Sequence, residues 1–446
     1  MFRIGASLLI LSLGGTAYAA DSAAEKNWPQ WRGPLGIGVS ATADPPLAWS
    51  ESQNIRWKVK IPGYGQSTPI VWGDRVFVQT AIATGRQSAP ATQAAATNDR
   101  GGGRPRLSTP NPTQVYQFVL ICFGRQTGKE LWRRVACETV PHEGHHRTEG
   151  SFAAASPMTD GKLVFAFFGS RGLYCYDMDG NPKWQRDLGR MRIVMSFGEG
   201  TTPALSGDVI VVNWDHEGEC STLGINKNNG DIAWKMPRDE RSSWATPLIV
   251  EHEGKRQAVV AASKRIRSYE LETGKLIWEC AGLTRNVIPS PVSGEGIVYA
   301  TSGYQGSCVM AIRLGRSGDL TGSDAIVWKH QKGTPYVPSP LLYEGRLYLF
   351  SVNNAVLSCF DAKTGKMLID MQNLDALQGV YSSPVAAGGK IYLLGRNGAM
   401  VVIKPSDRLE ILATNRLDER FGASPALAGQ ELFLRGREHL YCIGPK

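Results

Sequence analysis

The chain has 446 residues, 42% of them hydrophobic and 20% charged, with a formal net charge of +9. That apolar share excludes a disordered chain and is enough to bury a large core. The basic balance favours acidic partners, although a merely basic surface has the same charge, and no nucleic-acid motif occurs.

Met1-Phe2-Arg3 is a short basic segment, Ile4 to Leu13 an apolar run, and Ala17-Tyr18-Ala19 a small-x-small cleavage signal. Together they predict a secretory signal peptide over residues 1–19, cut near Ala19, and a periplasmic or secreted mature chain. The run is too short for a membrane span, no later segment is longer, and no Cys stands at the cut to take a lipid. Residues 20–53, with Trp28-Pro29-Gln30-Trp31-Arg32-Gly33-Pro34, predict an extended arm. Asn54 to Lys60 predicts an isolated outer strand.

From Ser67 onward the chain repeats. Ser/Thr-Pro signals end at Pro69, Pro157, Pro203, Pro247, Pro291, Pro340, Pro384 and Pro425, and from Pro157 on they are 41 to 49 residues apart. Each is followed by apolar residues, a Gly-centred turn and further strands, as in Leu341 to Phe350 and Cys359 to Lys366. A period in the forties with four strands per unit is the signature of a β-propeller. Small Ser, Thr or Ala residues suit strand starts crowded round an axis, and Pro is confined to a strand's first residue. Trp132, Trp184, Trp234, Trp278 and Trp328 follow the Asp-x-x-Thr-Gly turn, where a large ring wedges between blades.

The last repeat, Ser424 to Ile443, has three strands. The strand over Asn54–Lys60 completes it, so residues 54–446 predict an all-β, eight-bladed propeller of four-stranded blades, closed by an N-terminal outer strand. Residues 81–114, with Gly101-Gly102-Gly103, are nearly free of large apolar side chains and predict a disordered low-complexity insertion. The eight cysteines predict mostly free thiols: Cys122, Cys175 and Cys359 hold one blade position, and such positions lie too far apart to bridge.

Strand order puts the Gly turns on one face. The loops before each Ser/Thr-Pro, and those between second and third strands, share the other face, where binding residues are expected. From blade tryptophan to the next Pro takes 12 or 13 residues at Trp57, Trp234, Trp278 and Trp328, but 25 after Trp132 and 19 after Trp184. The first long loop contains His142, His145, His146 and Arg147; the second contains Glu199. The next loop on that face is Trp214-Asp215-His216-Glu217. Neighbours add Arg241, Trp244, Arg285, Tyr336, Arg396 and Arg420.

Each of these has a plainer reading. The histidines, with Asp215 or Glu217, offer metal-ligand chemistry, but their spacing fits no zinc motif and a solvated polar loop is the preferred account. Asp215 and Glu217 share a side if the loop is extended, as an acid/base pair would. The arginines are individually ordinary, and only their number on one face suggests an anion site. Trp244 and Tyr336 are ring platforms or channel packing.

Four segments carry a family resemblance: Trp28 to Pro34, Gly169-Ser170-Arg171-Gly172-Leu173-Tyr174-Cys175-Tyr176-Asp177, Asn213-Trp214-Asp215-His216-Glu217-Gly218, and Gly333 to Pro340. Through them the chain resembles the exported pyrroloquinoline-quinone-like β-propeller repeat proteins of bacteria. The resemblance implies the fold. For activity it implies either a quinone-dependent dehydrogenase or a non-catalytic propeller, such as the lipoprotein of the outer-membrane assembly machinery. The dehydrogenases stack their quinone on a disulfide between adjacent cysteines and hold calcium with a Glu/Asn/Asp set. No two cysteines are adjacent here, nor does the lipoprotein's anchoring Cys occur.

The reading is therefore a monomeric, exported binding or scaffold protein without a cofactor, catalytic set or metal. It binds an anionic small molecule, a polysaccharide or a protein through its polar loop face. The alternative is an enzyme at the channel mouth, either a quinone-dependent oxidoreductase or one acting on acidic carbohydrate.

Overall fold

The computed structural model of the protein describes residues 22–88 and 112–445, so the expected signal peptide lies outside the described residues. Eight antiparallel sheets form a propeller, seven of four strands and one of five. The first blade comprises Ile70–Trp72, Arg75–Gln87, Gln114–Gly124 and Glu130–Thr139. The eighth takes Ala426–Ala428, Glu431–Arg435 and His439–Ile443 from the end of the chain and Ile55–Lys60 from its beginning. Trp57 lies opposite Cys442 and Lys60 opposite His439 in that closing pair. The terminal strand thus covers an edge that would otherwise be open.

The expected insertion is shorter than residues 81–114. Residues 81–87 continue the second strand of the first blade, and Gln87 still pairs with Gln114. Ala81, Ile82 and Ala83 keep their ladder partners Phe118, Gln117 and Tyr116, and the register shifts before Gln87, a pairing that composition alone hid; residues 89–111 lie outside the described residues. The fourth blade gains its fifth strand where Gly318–Asp319 adds in parallel to Leu276–Cys280.

The Ser/Thr-Pro signals have a more definite role than crowding. The backbone N–H of Thr68 donates to Ser156 Oγ at 2.9 Å, and that of Ser156 to Thr202 Oγ1 at 3.0 Å. The chain continues through Thr246, Ser290, Ser339, Ser383 and Ser424, and Ser424 N–H returns to Thr68 Oγ1 at 3.1 Å. Eight hydrogen bonds close a belt round the axis, one per blade junction. The Pro that follows has no N–H of its own, so nothing competes for the hydroxyl.

Further out, Trp57, Trp132, Trp184, Trp234 and Trp328 each donate the indole N–H to a turn carbonyl of the next blade, at 2.7–3.0 Å. Each ring lies on the turn glycine there: a Cβ at Gly128, Gly180, Gly230, Gly274 or Gly365 would come within 2.5–2.8 Å of it. Within its own blade each indole faces a small partner, Cys122 for Trp132, Cys175 for Trp184 and Gly224 for Trp234. Trp278 departs from this pattern. It is fully buried, and its N–H donates to Gln257 Oε1 at 3.2 Å within its own blade. All eight cysteines are free, and burial pushes most of the thiols up, Cys359 to about 12.

The arm runs across the ends of the innermost strands. Trp28 bridges Val71, Pro29 O accepts Thr159 N–H, Gln30 Oε1 accepts Leu205 N–H, and Ser40 N–H donates to Ala386 O. Asp44 N–H then donates to Gly429 O in the eighth blade. Arg32, 1% exposed, donates at 2.6 Å to Ile37 O within the arm and to Pro340 O, immediately after the belt's Ser339. The arm thus lies on the turn side of the inner strands.

Replacing Thr202 by Val keeps the shape but leaves Ser156 N–H without its acceptor, at an expected cost of about 1–3 kcal/mol. Thr202→Ser keeps the hydroxyl and costs less, whereas Trp234→Ala costs about 3–5 kcal/mol. Urea unfolding midpoints test the order; a serine variant as unstable as the valine variant would mean that the methyl group, not the hydroxyl, matters.

Candidate functional site

On the loop face, a cavity of about 420 Å3 opens over the axis. Its floor is Trp31 of the arm together with six belt residues, Thr68, Ser156, Thr202, Thr246, Ser383 and Ser424. Its walls are aromatic: Phe197, Trp244, Tyr304, Tyr336 and Tyr381. His146, Glu149 and Glu199 supply the titratable groups.

Local structure fixes each wall. Arg285 forms a backbone bridge with Tyr304, whose ring stacks on Tyr336 at 5.0 Å between centroids. Trp244 donates its indole N–H to Gly198 O at 2.8 Å, leaving only its ring face for a ligand. The Arg396 guanidinium lies 4.8 Å above Tyr381 and pairs with Glu149 at 2.6 Å. Burial raises the Tyr336 and Tyr381 hydroxyls above the usual phenol range.

Beside this cavity is a tighter recess lined by Glu143 and Glu199, and these two and His142 each bring a donor atom within 4.8 Å of the others. Glu199 is already committed: it accepts Ser170 N–H and Oγ–H, and pairs with Arg171 at 2.8 Å. His142 Nε2 lies 2.7 Å from Met191 O and 3.8 Å from Glu199. Glu143 accepts Ile193 N–H at both oxygens, and burial pushes its carboxyl up to about 7.

The remaining predicted residues divide. His146, Glu199, Trp244 and Tyr336 meet at the cavity. Arg396 and Arg420 line a small adjoining recess, and exposed Arg147 and Arg241 stand outside all three pockets. Asp215 and Glu217 do not form an acid/base pair. The loop turns, so that Asp215 is buried and takes both an Arg238 fork at 2.8 and 3.0 Å and the Ser243 hydroxyl at 2.7 Å. Glu217 instead accepts Ser242 N–H and Oγ–H, and His216 is 7% exposed. Desolvation lowers His142, His145 and His216 below the ordinary imidazole value, so these three bring no positive charge at neutral pH.

Sequence reasoning missed Trp31, Tyr381 and the belt hydroxyls as parts of one cavity; Phe197 and Glu149 lie in the two long loops it singled out but were not chosen as site residues. The Ser/Thr-Pro repeat was the available signal for the hydroxyls. Trp31 had none, because its place depends on the path of the whole arm.

The family described as outer membrane protein assembly factor BamB matches residues 117–368. Among solved structures, BamB from Moraxella catarrhalis is similar at a TM-score of 0.53 and 13% identity, over 86% of this chain and 98% of that one. Quinohemoprotein alcohol dehydrogenase from Comamonas testosteroni gives 0.62 at 9% identity, over 96% and 82%. The quinohemoprotein alcohol dehydrogenase ADHIIG from Pseudomonas putida HK5 gives 0.57 at 9%, over 94% and 80%. At such identities these structures share the fold alone. No curated protein matches the chain.

The Glu143 carboxyl makes a pH prediction. Its folded value of about 7 stands above the ordinary 4.5, so between these values the folded chain holds the extra proton. Stability contributed by this group is full below the lower value and falls until pH passes the upper one. Glu143→Gln removes that loss, and its unfolding midpoint relative to wild type should rise between about pH 5 and pH 8. A difference that stays constant with pH would show that the carboxyl titrates normally.

Proposed function

The chain belongs to the family described as outer membrane protein assembly factor BamB, and from that premise we propose that it is an exported, periplasmic propeller that binds an anionic partner through its loop face. One observation carries the reading: the cavity there is preformed, and its carboxylates are already paired. Glu199 has Arg171 and Glu149 has Arg396, so the groups that could perform acid/base work hold the scaffold together. What is left for a partner is aromatic surface, hydroxyls and outlying arginines. Arg147 and Arg241 are exposed and take part in no ion pair among the described residues.

The second reading, an enzyme at the channel mouth, draws support from the His142, Glu143 and Glu199 donors. A quinone-dependent oxidoreductase is the form that the resemblance implies, and the residues fit it poorly. Among the described residues no cysteine lines the cavity, and Cys122, Cys175 and Cys359 are buried within blades. His142 and Glu199 are engaged as above. No reaction step is therefore assigned to that group.

Exposed arginines add charge with little folding energy. The double variant Arg147→Ala, Arg241→Ala should bind an anionic polysaccharide such as heparin about tenfold more weakly, or ~1.4 kcal/mol, in low salt. Its unfolding midpoint should be unchanged, and the difference should shrink as salt screens the charges. Unaltered heparin affinity, or a loss of stability to match, would refute the assignment. Adding pyrroloquinoline quinone with calcium should give no dye-linked alcohol oxidation; turnover would promote the second reading.

A further inference from the structure

The belt leaves something unspent. Each of its eight hydroxyl oxygens accepts a backbone N–H from the neighbouring blade, which uses the oxygen as acceptor. A hydroxyl also has a proton to give, and among the described residues none of these eight donates to a protein acceptor. Six of them line the cavity floor. The floor is thus a row of O–H donors with no protein acceptor.

A second, independent observation gives the sign of the missing partner. Arg32 is 1% exposed, its Nε and Nη1 have no hydrogen-bond partner, and it enters no ion pair among the described residues. Its guanidinium carbon lies 5.8 Å from the ring centroid of Trp31, the aromatic part of that floor. Burial alone depresses it, to about 9. Arg435 is likewise buried, with Nε unpartnered and its other contacts to Gln79 O and Thr80 Oγ1. The wall carboxylates cannot compensate these cations, since Glu149 and Glu199 have arginines of their own.

We infer that the cavity floor is a subsite for the carboxylate of a small ring-bearing acid, held by belt hydroxyls in the field of Arg32 while its ring lies against Trp244 and the Tyr304–Tyr336 pair. The inference rests on the binding reading above and adds the ligand's chemical class. Aromatic acids and uronic acids share this chemistry: the first would lay a flat ring, and the second the C–H face of a pyranose chair, on the aromatic walls.

Calorimetry with the full chain tests it, using benzoate and its neutral isostere benzamide, and glucuronate against glucose. The acid should bind saturably, one per chain, at least tenfold more tightly than its neutral partner, in one of the two pairs. Which pair does so identifies the source. Thr246→Val, which removes a floor hydroxyl, should weaken the acid about tenfold and leave the neutral compound unchanged; Thr246→Ser should restore it. Acid and neutral compound binding equally, in a manner lost in Trp244→Ala, would overturn the subsite yet leave the loop face a binding surface. No saturable binding of either acid, or an acid affinity equal in the valine and serine variants, would overturn the subsite as well. Since heparin binding is measured at the outlying arginines, its result stands or falls separately.

Discussion

The belt of eight N–H to hydroxyl hydrogen bonds is the constraint on which the remainder of this protein depends. Innermost strands of a propeller have neighbours on one side only within their blade, so their first N–H groups need partners from elsewhere or stay unsatisfied. Here each finds the hydroxyl of the next blade. The arrangement works only if every blade contributes Ser or Thr at the same height, and the eighth bond, from Ser424 to Thr68, joins the two ends of the sequence. The repeated dipeptide occurs once per blade, so its count is the blade number.

The outer contacts obey a complementary rule. An indole needs a flat place to lie and an acceptor for its N–H, and the turn of the following blade supplies both through a glycine and a carbonyl. Where that turn lengthens, as between Arg313 and Ile326, the indole of Trp278 turns to Gln257 and a fifth strand fills the edge instead. A local change in one turn is thereby absorbed without disturbing the ring.

The fold was legible because it is written eight times. Spacing, Ser/Thr-Pro, turn and tryptophan all recur, so one misread blade could not mislead, and the closure by Ile55–Lys60 followed from two incomplete repeats. The site was legible only in part, because it occurs once. His146, Glu199, Trp244 and Tyr336 were found from loop length and composition and do meet at one cavity. Asp215 could not be separated from Glu217 on sequence, since whether a loop stays extended depends on Arg238 and Ser243, both far along the chain. Histidines read as part of a solvated polar loop proved to be desolvated instead. The hydroxyls were read as small residues, when their size mattered less than their oxygen.

The path of the arm has a consequence for how the molecule is made. Residues 28–44 lie against inner strands of the first, second, third, sixth, seventh and eighth blades, and the strand after them pairs with residues 439–443. A segment that precedes every blade in the sequence therefore completes its contacts only when the eighth blade is present. Until synthesis is complete, Trp28, Trp49 and Trp57 have nothing finished to be buried in, and the growing ring has two open edges. Contacts this distant in sequence form slowly and leave apolar surface uncovered meanwhile. Closure of this ring is thus a late event, and loss of either Ile55–Lys60 or the strands of residues 426–443 removes the same blade.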